Sequence, residues 1–180
     1  MLSADFLRKF KRASEAKWSE KSISPELYGF QFQQGTRWNE GLSDEQIAEY
    51  EGVLRIRFPH DLRTFLREMN GTDLATLNIY GSCGEPYRES VGVYSYPRDI
   101  GIVERRIEDT RIHRVEIASD LAEQGFELPP EAKLVPIFSH RFVVCTSNLD
   151  SSVVLSVVVD STDAIVYANS LREYLEKEFL

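Results

Sequence analysis

Long hydrophobic runs are missing from this 180-residue chain. No apolar stretch approaches the ~20 residues that a helix needs to cross a bilayer core. The opening segment, MLSADFLRKFKRASEAKW, is charged throughout and lacks the apolar core and small-residue cleavage site of a secretory leader, so a cytoplasmic location is expected. Cysteine is nearly absent. Cys83 and Cys145 cannot build a disulfide framework, and both are expected as reduced thiols, with Cys145 acting as a small buried hydrophobe. Histidine is scarce as well. His60 and His140 have no second ligand three or four residues on, and no cysteine pair has zinc spacing. Only a tertiary assembly of His113, His140 and Cys145 could hold a metal, and none is expected. Phosphate-cradling glycine loops, dinucleotide fingerprints and Gly-Lys-Ser/Thr are missing too, so no cofactor is expected. Gly81-Ser82-Cys83-Gly84 lacks the Gly-x-Ser-x-Gly arrangement of a nucleophile turn, and a turn between strands accounts for its glycines. Carboxylates are plentiful, but none is paired inside an apolar segment as acid–base work requires. No catalysis is expected.

Positive charge is in deficit. Twenty-one Lys and Arg face 29 Asp and Glu, for a net charge of -8 and a pI near 5.0. That excludes general nucleic-acid binding, which needs cations to displace phosphate counterions, and it favours basic partners. The balance shifts along the chain, from seven cations against five acids in residues 1–40 to four against nine in residues 121–180.

What is present is organised around residues 41–73, GLSDEQIAEYEGVLRIRFPHDLRTFLREMNGTD. Ser43 is a good N-cap and Gln46 completes a capping box, while Leu42 and Ile47 stand at hydrophobic-staple positions. Ile47, Tyr50 and Leu54 continue at helical spacing. Phe58, before Pro59, is pushed to extended backbone, which ends this helix; Pro59 then pre-sets the first turn of a second. Leu62, Phe65, Leu66 and Met69 give that second helix its apolar face, and Asn70-Gly71 stops it.

Around this hairpin the elements are read in order. Ser3 to about Lys21 is an amphipathic helix with Phe6, Phe10 and Ala13 on one face, broadened by Leu7 and Trp18 and interrupted by Ser14. Tyr28, Phe30 and Phe32 alternate as a short edge strand. Leu77–Tyr80 and Val91–Tyr96 suggest a hairpin with a wide loop. Residues 98–128 read as mostly helix, with a dense mixed-charge run in which Arg98, Arg105, Arg106, Arg111 and Arg114 are interleaved with acids as a salt-bridged solvent face. Leu134–Phe138, Arg141–Thr146, Val153–Val159 and Ala164–Tyr167 are four β-branched runs joined by short turns, hence antiparallel neighbours. Val153–Val159 is apolar at nearly every position and belongs at the centre of the sheet. Ser170 and Glu173 open a final helix with Leu171, Tyr174, Leu175 and Phe179 on one face. The expected class is α+β: a mixed or largely antiparallel sheet of about 5–6 strands, packed by N-terminal helices, a central helical insert and a C-terminal helix. Residues 1–180 are expected as one domain, with 1–22 an appended helix and 98–130 a charged insert.

The order Leu42-Ser43 … Ile47 … Phe58-Pro59-x-Asp61-Leu62-x-x-Phe65-Leu66 … Asn70-Gly71 resembles the signature of the SUKH superfamily, the Smi/Knr-type proteins. Leu134–Phe138, Val153–Val159 and the Ile165–Leu175 ending are similar to the family's C-terminal half. The resemblance implies a structural rather than catalytic motif. It also implies one of two functions: an immunity protein that neutralises a secreted toxin by direct binding, or a regulatory scaffold with several weaker protein partners. An acidic chain suits a basic target such as a nuclease, which it can approach by electrostatic steering. The residues expected to carry such binding are Tyr80, Tyr87, Tyr94 and Tyr96 as aromatic anchors, and Asp150, Asp160 and Asp163 as exposed acids after strand positions. For any single acid, ordinary turn chemistry is a sufficient explanation.

Overall fold

The computed structural model describes residues 1–79, 88–158 and 163–180. Its elements are α1 (Ala4–Glu20), β1 (Gly29–Phe32), α2 (Asp44–Leu54), α3 (His60–Glu68), β2 (Thr76–Ile79), β3 (Arg88–Ser90), α4 (Ile100–Ile112) and α5 (Arg114–Glu123), then β4 (Lys133–Phe138), β5 (Arg141–Cys145), β6 (Val154–Val158), β7 (Asp163–Ala168) and α6 (Leu171–Phe179). The α+β class and the antiparallel pairing are as expected. The strands, however, divide into two sheets of order β1-β2-β3 and β4-β5-β6-β7. Val93 and Tyr94 fasten the segment after β3 to the second sheet: Val93 bridges Phe138, and the Tyr94 N–H donates to Ile137 O at 2.9 Å.

The α2–α3 hairpin forms from its local signals. Ser43 and Gln46 make both arms of the capping box, and Leu42 and Ile47 are buried beside it. Glu51 Oε1 accepts the Phe58 N–H at 2.7 Å, which folds the extended linker back on α2. Asp61, in the first turn of α3, is buried and ties three distant segments together. Its Oδ1 accepts the Leu2 N–H at 2.7 Å and its Oδ2 accepts the Ser152 hydroxyl at 3.0 Å, while Ser152 Oγ in turn accepts the Leu171 N–H at 3.1 Å. A buried carboxylate is tolerable here because donors meet both of its oxygens.

Helix α1 buries Leu7, Phe10, Ser14 and Trp18, and Ala13 is exposed. Ser14 therefore belongs to the buried stripe rather than interrupting it. Its hydroxyl donates to Phe10 O at 3.0 Å and accepts the Trp38 indole N–H at 2.8 Å. The helix is no mere appendage either, since Phe10 and Trp18 join an aromatic cluster centred on Phe179. That ring lies 5.9 Å from Phe10, 6.2 Å from Trp18, 5.5 Å from Phe32 and Trp38, and 5.7 Å from Tyr174.

The four-stranded sheet alternates between two cores. Val135, Ile137, Val143, Cys145 and Val154 face the main core with α1, α3 and α6. Leu134, Phe142, Val144, Leu155 and Ala164 face a second core with Ile117 and Leu121 of α5. The α5 half of the charged 98–130 segment thus roofs the sheet's other face, while Val103 of α4 packs in the main core, and β6, in the middle, is covered on both sides as its apolar run predicts. At ~25 cal/mol per Å² of apolar area, such double burial is the main stabilising contribution to this layer.

Two local expectations are corrected. Residues 91–96 form no strand beyond the Val93 bridge, because side chains take their backbone groups. Asn70 Oδ1 accepts the Tyr96 N–H at 2.9 Å, Asn70 Nδ2 donates to Tyr96 O at 2.6 Å, and Asp99 Oδ2 accepts the Ser95 N–H at 2.8 Å. Gly71 (φ 73) lets this segment pass, since a Cβ there would lie 2.6 Å from Val93 O. At α6, Ser170 Oγ accepts the Glu173 N–H, but the Glu173 carboxylate accepts the Asn169 N–H at 2.9 Å, one residue upstream of the cap.

Candidate interaction surface

Two of the aromatic anchors read from sequence, Tyr94 and Tyr96, do not reach the surface. Tyr94 and Tyr96 are each only 8% exposed. The Tyr94 hydroxyl donates to Ser139 O at 3.3 Å, and the Tyr96 ring stacks on Tyr50 with centroids 4.5 Å apart. Their alternation reflects clamping by Asn70 and packing against α2, not outward display. Tyr80, Tyr87 and Asp160 lie outside the described residues, as do Cys83 and its turn. Asp150 and Asp163 are exposed but stand at opposite ends of β6, so they do not make one patch. Asp150 lies 3.9 Å from the exposed His60 imidazole.

A different constellation converges on an open groove of about 360 Å³ beside β3, lined by Asp73, Leu74, Glu89, Val91, Arg98 and Asp99 among others. Asp99 is buried and engaged: the Arg98 guanidinium donates to both of its oxygens, at 3.0 and 2.8 Å, and also to Thr72 O. That carboxylate raises the Arg98 pKa further through direct hydrogen bonding. Asp73 Oδ1 accepts the N–H groups of Arg37 and Leu74, both at 2.7 Å, which fixes its orientation. Glu89 is exposed and in no ion pair among the described residues. With Arg98 matched to Asp99, the groove keeps the charges of Asp73 and Glu89, next to the part-exposed Leu74 and Val91. A site of this kind can take a cationic side chain with an apolar stem. It escapes sequence reading because residues 73, 89 and 98 meet only through the β2–β3 pairing and the Asn70 clamp.

Sheet edges differ in availability. The outer edge of β7 is closed by α5: Asp120 Oδ2 accepts the Ala164 N–H at 3.1 Å, Gln124 Nε2 donates to Ala164 O at 2.8 Å, and Gln124 Oε1 accepts the Val166 N–H at 3.3 Å. Side chains thereby occupy groups that would otherwise template a foreign strand. Of the concentrated arginines, Arg114 turns to the body, while Arg111 stays on the solvent face in a pair with Glu108. Arg114 donates to the carbonyls of Ala132 and Pro129, and Arg111 forks onto Glu108.

A hydroxyl meets a potential base in the β4–β5 turn, where Ser139 Oγ lies 3.0 Å from Nδ1 of the neighbouring His140. Ser139 has φ 49, as the first residue of a two-residue hairpin turn requires. His140 is lowered to about 4, first by burial and then by Arg141 and Arg106, so it is neutral at pH 7. Among the described residues no third group orients this imidazole, and Ser139 is buried. No three His, Cys, Asp or Glu side chains among the described residues are placed to hold a metal ion. No described helix is long and apolar enough to cross a membrane.

A structural motif that stops α3, admits the 93–96 segment and anchors three segments on Asp61 is what the Phe-Pro-x-Asp-Leu … Asn-Gly order supplies. The sequence profile of the SMI1 / KNR4 family (SUKH-1) matches residues 41–177. The chain belongs to that family. A comparison with curated proteins finds no match. The SMI1 / KNR4 match begins where Gly41 packs against α3, so closely that a Cβ there would lie 1.9 Å from Arg67 O. α1 and β1 lie outside the matched range, yet Phe10, Trp18 and Phe32 complete the same core as the family segment.

Proposed function

We propose that this SUKH-1 chain is a non-catalytic, cytoplasmic protein-binding domain that neutralises a toxin by covering it directly. Family membership over residues 41–177 carries the reading, and the distribution of charge supports it. Many described cations are spent within the body. Arg63, Arg98 and Arg141 pair with acids, Arg114 bonds carbonyls, and Lys17 donates to the carbonyls of Phe179 and Leu180. Acids outnumber cations by eight over the chain, and the exposed Asp73 and Glu89 are collected in a groove. Opposite charge on a basic toxin would be drawn to it at long range, and covering the toxin's cleft requires no chemistry from the partner.

The test is affinity capture with the tagged chain from its native host while neighbouring genes are expressed. One stoichiometric partner whose toxicity is suppressed by co-expression is expected. Several partners with fast, weak binding would favour a regulatory scaffold, and no partner would contradict the proposal.

A further inference from the structure

A second cleft, sharing no residue with the acidic groove, has the opposite polarity. It is an open space of about 350 Å³ where α2 ends against the start of β4 and the end of β5. That size falls within the ~300–1,000 Å³ usual for ligand clefts. Arg55, Arg57 and Lys133 line it, with Glu131 the only carboxylate among the lining residues. All three cations are exposed, and none makes an ion pair or a side-chain hydrogen bond among the described residues. These three cations surround one opening, whereas Arg63, Arg98, Arg114 and Arg141 are engaged by acids or carbonyls of the body. Ile56 and Leu149 give the cleft an apolar lining, together with the buried Cys145, whose thiol pKa is pushed up by burial and by Glu51.

Arg55 carries a second, independent signal. It is the C-cap of α2 and sits in the left-handed region (φ 54, ψ 42). Glycine or asparagine is the usual occupant of such a helix stop, so an arginine there holds its guanidinium at the rim against backbone preference. Strain retained at an exposed position points to use of the side chain.

We propose that this cleft receives an acidic polypeptide segment of a protein partner, its carboxylates on Arg55, Arg57 and Lys133 and an adjacent apolar side chain against Ile56 and Leu149. A polypeptide is favoured over nucleic acid on charge and lining. Three cations on a strongly acidic body neutralise few phosphates, and the lining is aliphatic, without a ring for base stacking.

The test begins by panning a random displayed-peptide library on the intact chain. Enriched peptides are expected to pair acids with an apolar residue. A labelled winner, titrated by fluorescence anisotropy, should bind at least ~10-fold more weakly to R57E/K133E and measurably more weakly at raised salt. The milder R57Q/K133Q variant should show the same direction should charge reversal disturb folding. Arg55→Gly should weaken binding while leaving the melting temperature unchanged or higher, a split that a purely structural role for Arg55 would not produce. Enrichment without acidic bias, or affinity unchanged in these variants, would overturn the proposal. So would a labelled oligonucleotide that binds through the same cations, or self-association of the chain that R57E/K133E abolishes.

Discussion

Replacing Asp61 with alanine strands two buried donors, the Leu2 N–H and the Ser152 hydroxyl, that its oxygens now accept at 2.7 and 3.0 Å. Each orphaned donor costs ~1–3 kcal/mol, so a loss of about 3 kcal/mol is expected. For a chain of this length that corresponds to a fall of roughly 6–12 °C in Tm. Asp61→Asn keeps an acceptor for Leu2 and offers an N–H to the free lone pair of Ser152, so about 1 kcal/mol should be lost. Urea denaturation of the three proteins measures both numbers. Limited proteolysis adds a local signature: the alanine variant should be clipped near its N-terminus before the core opens, because Asp61 holds Leu2 to α3. An alanine variant within ~0.5 kcal/mol of wild type, with an equally protected N-terminus, would refute the three-way tie.

Tyr174 provides the opposite sign. Its hydroxyl is buried without a hydrogen-bond partner among the described residues, so Tyr174→Phe should be neutral or up to ~1 kcal/mol more stable by thermal melting, and a clear loss would contradict this. For His140, the folded value of about 4 lies below its ordinary 6.5. Between those limits the unfolded chain holds the proton and the folded chain does not, so stability should fall as pH drops from about 6.5 to about 4. His140→Asn should flatten that slope in urea titrations across the range. Removing the caps on β7 with D120A/Q124A should expose the Ala164 and Val166 backbone and raise self-association by light scattering, with no change predicted for substitutions at the exposed Glu123.

Much of this architecture was legible where local rules and burial agree. The capping box at Ser43, the Phe58-Pro59 break and the four β-branched runs of the last third each place an element within a residue or two. Legibility failed where a side chain took over a backbone group. Tyr94 and Tyr96 alternate like a strand, but Asn70 and Asp99 hold their segment irregular and turn both rings inward. Ser14 looks like a gap in a helical stripe until Trp38, 24 residues on, supplies its partner. The split into two sheets and both clefts depend on contacts between segments far apart in sequence. Periodicity does not report such contacts.

Docking through the acidic groove is tested by a calorimetric titration of the captured partner against wild type and D73N/E89Q. That variant removes the two groove charges, while the amide oxygen introduced in place of the Asp73 carboxylate can still accept the Arg37 and Leu74 N–H groups. Affinity at least ~10-fold weaker is expected for the variant, with unchanged thermal stability and less sensitivity to salt. Identical affinity and identical salt dependence would contradict an electrostatic docking body that works through this groove.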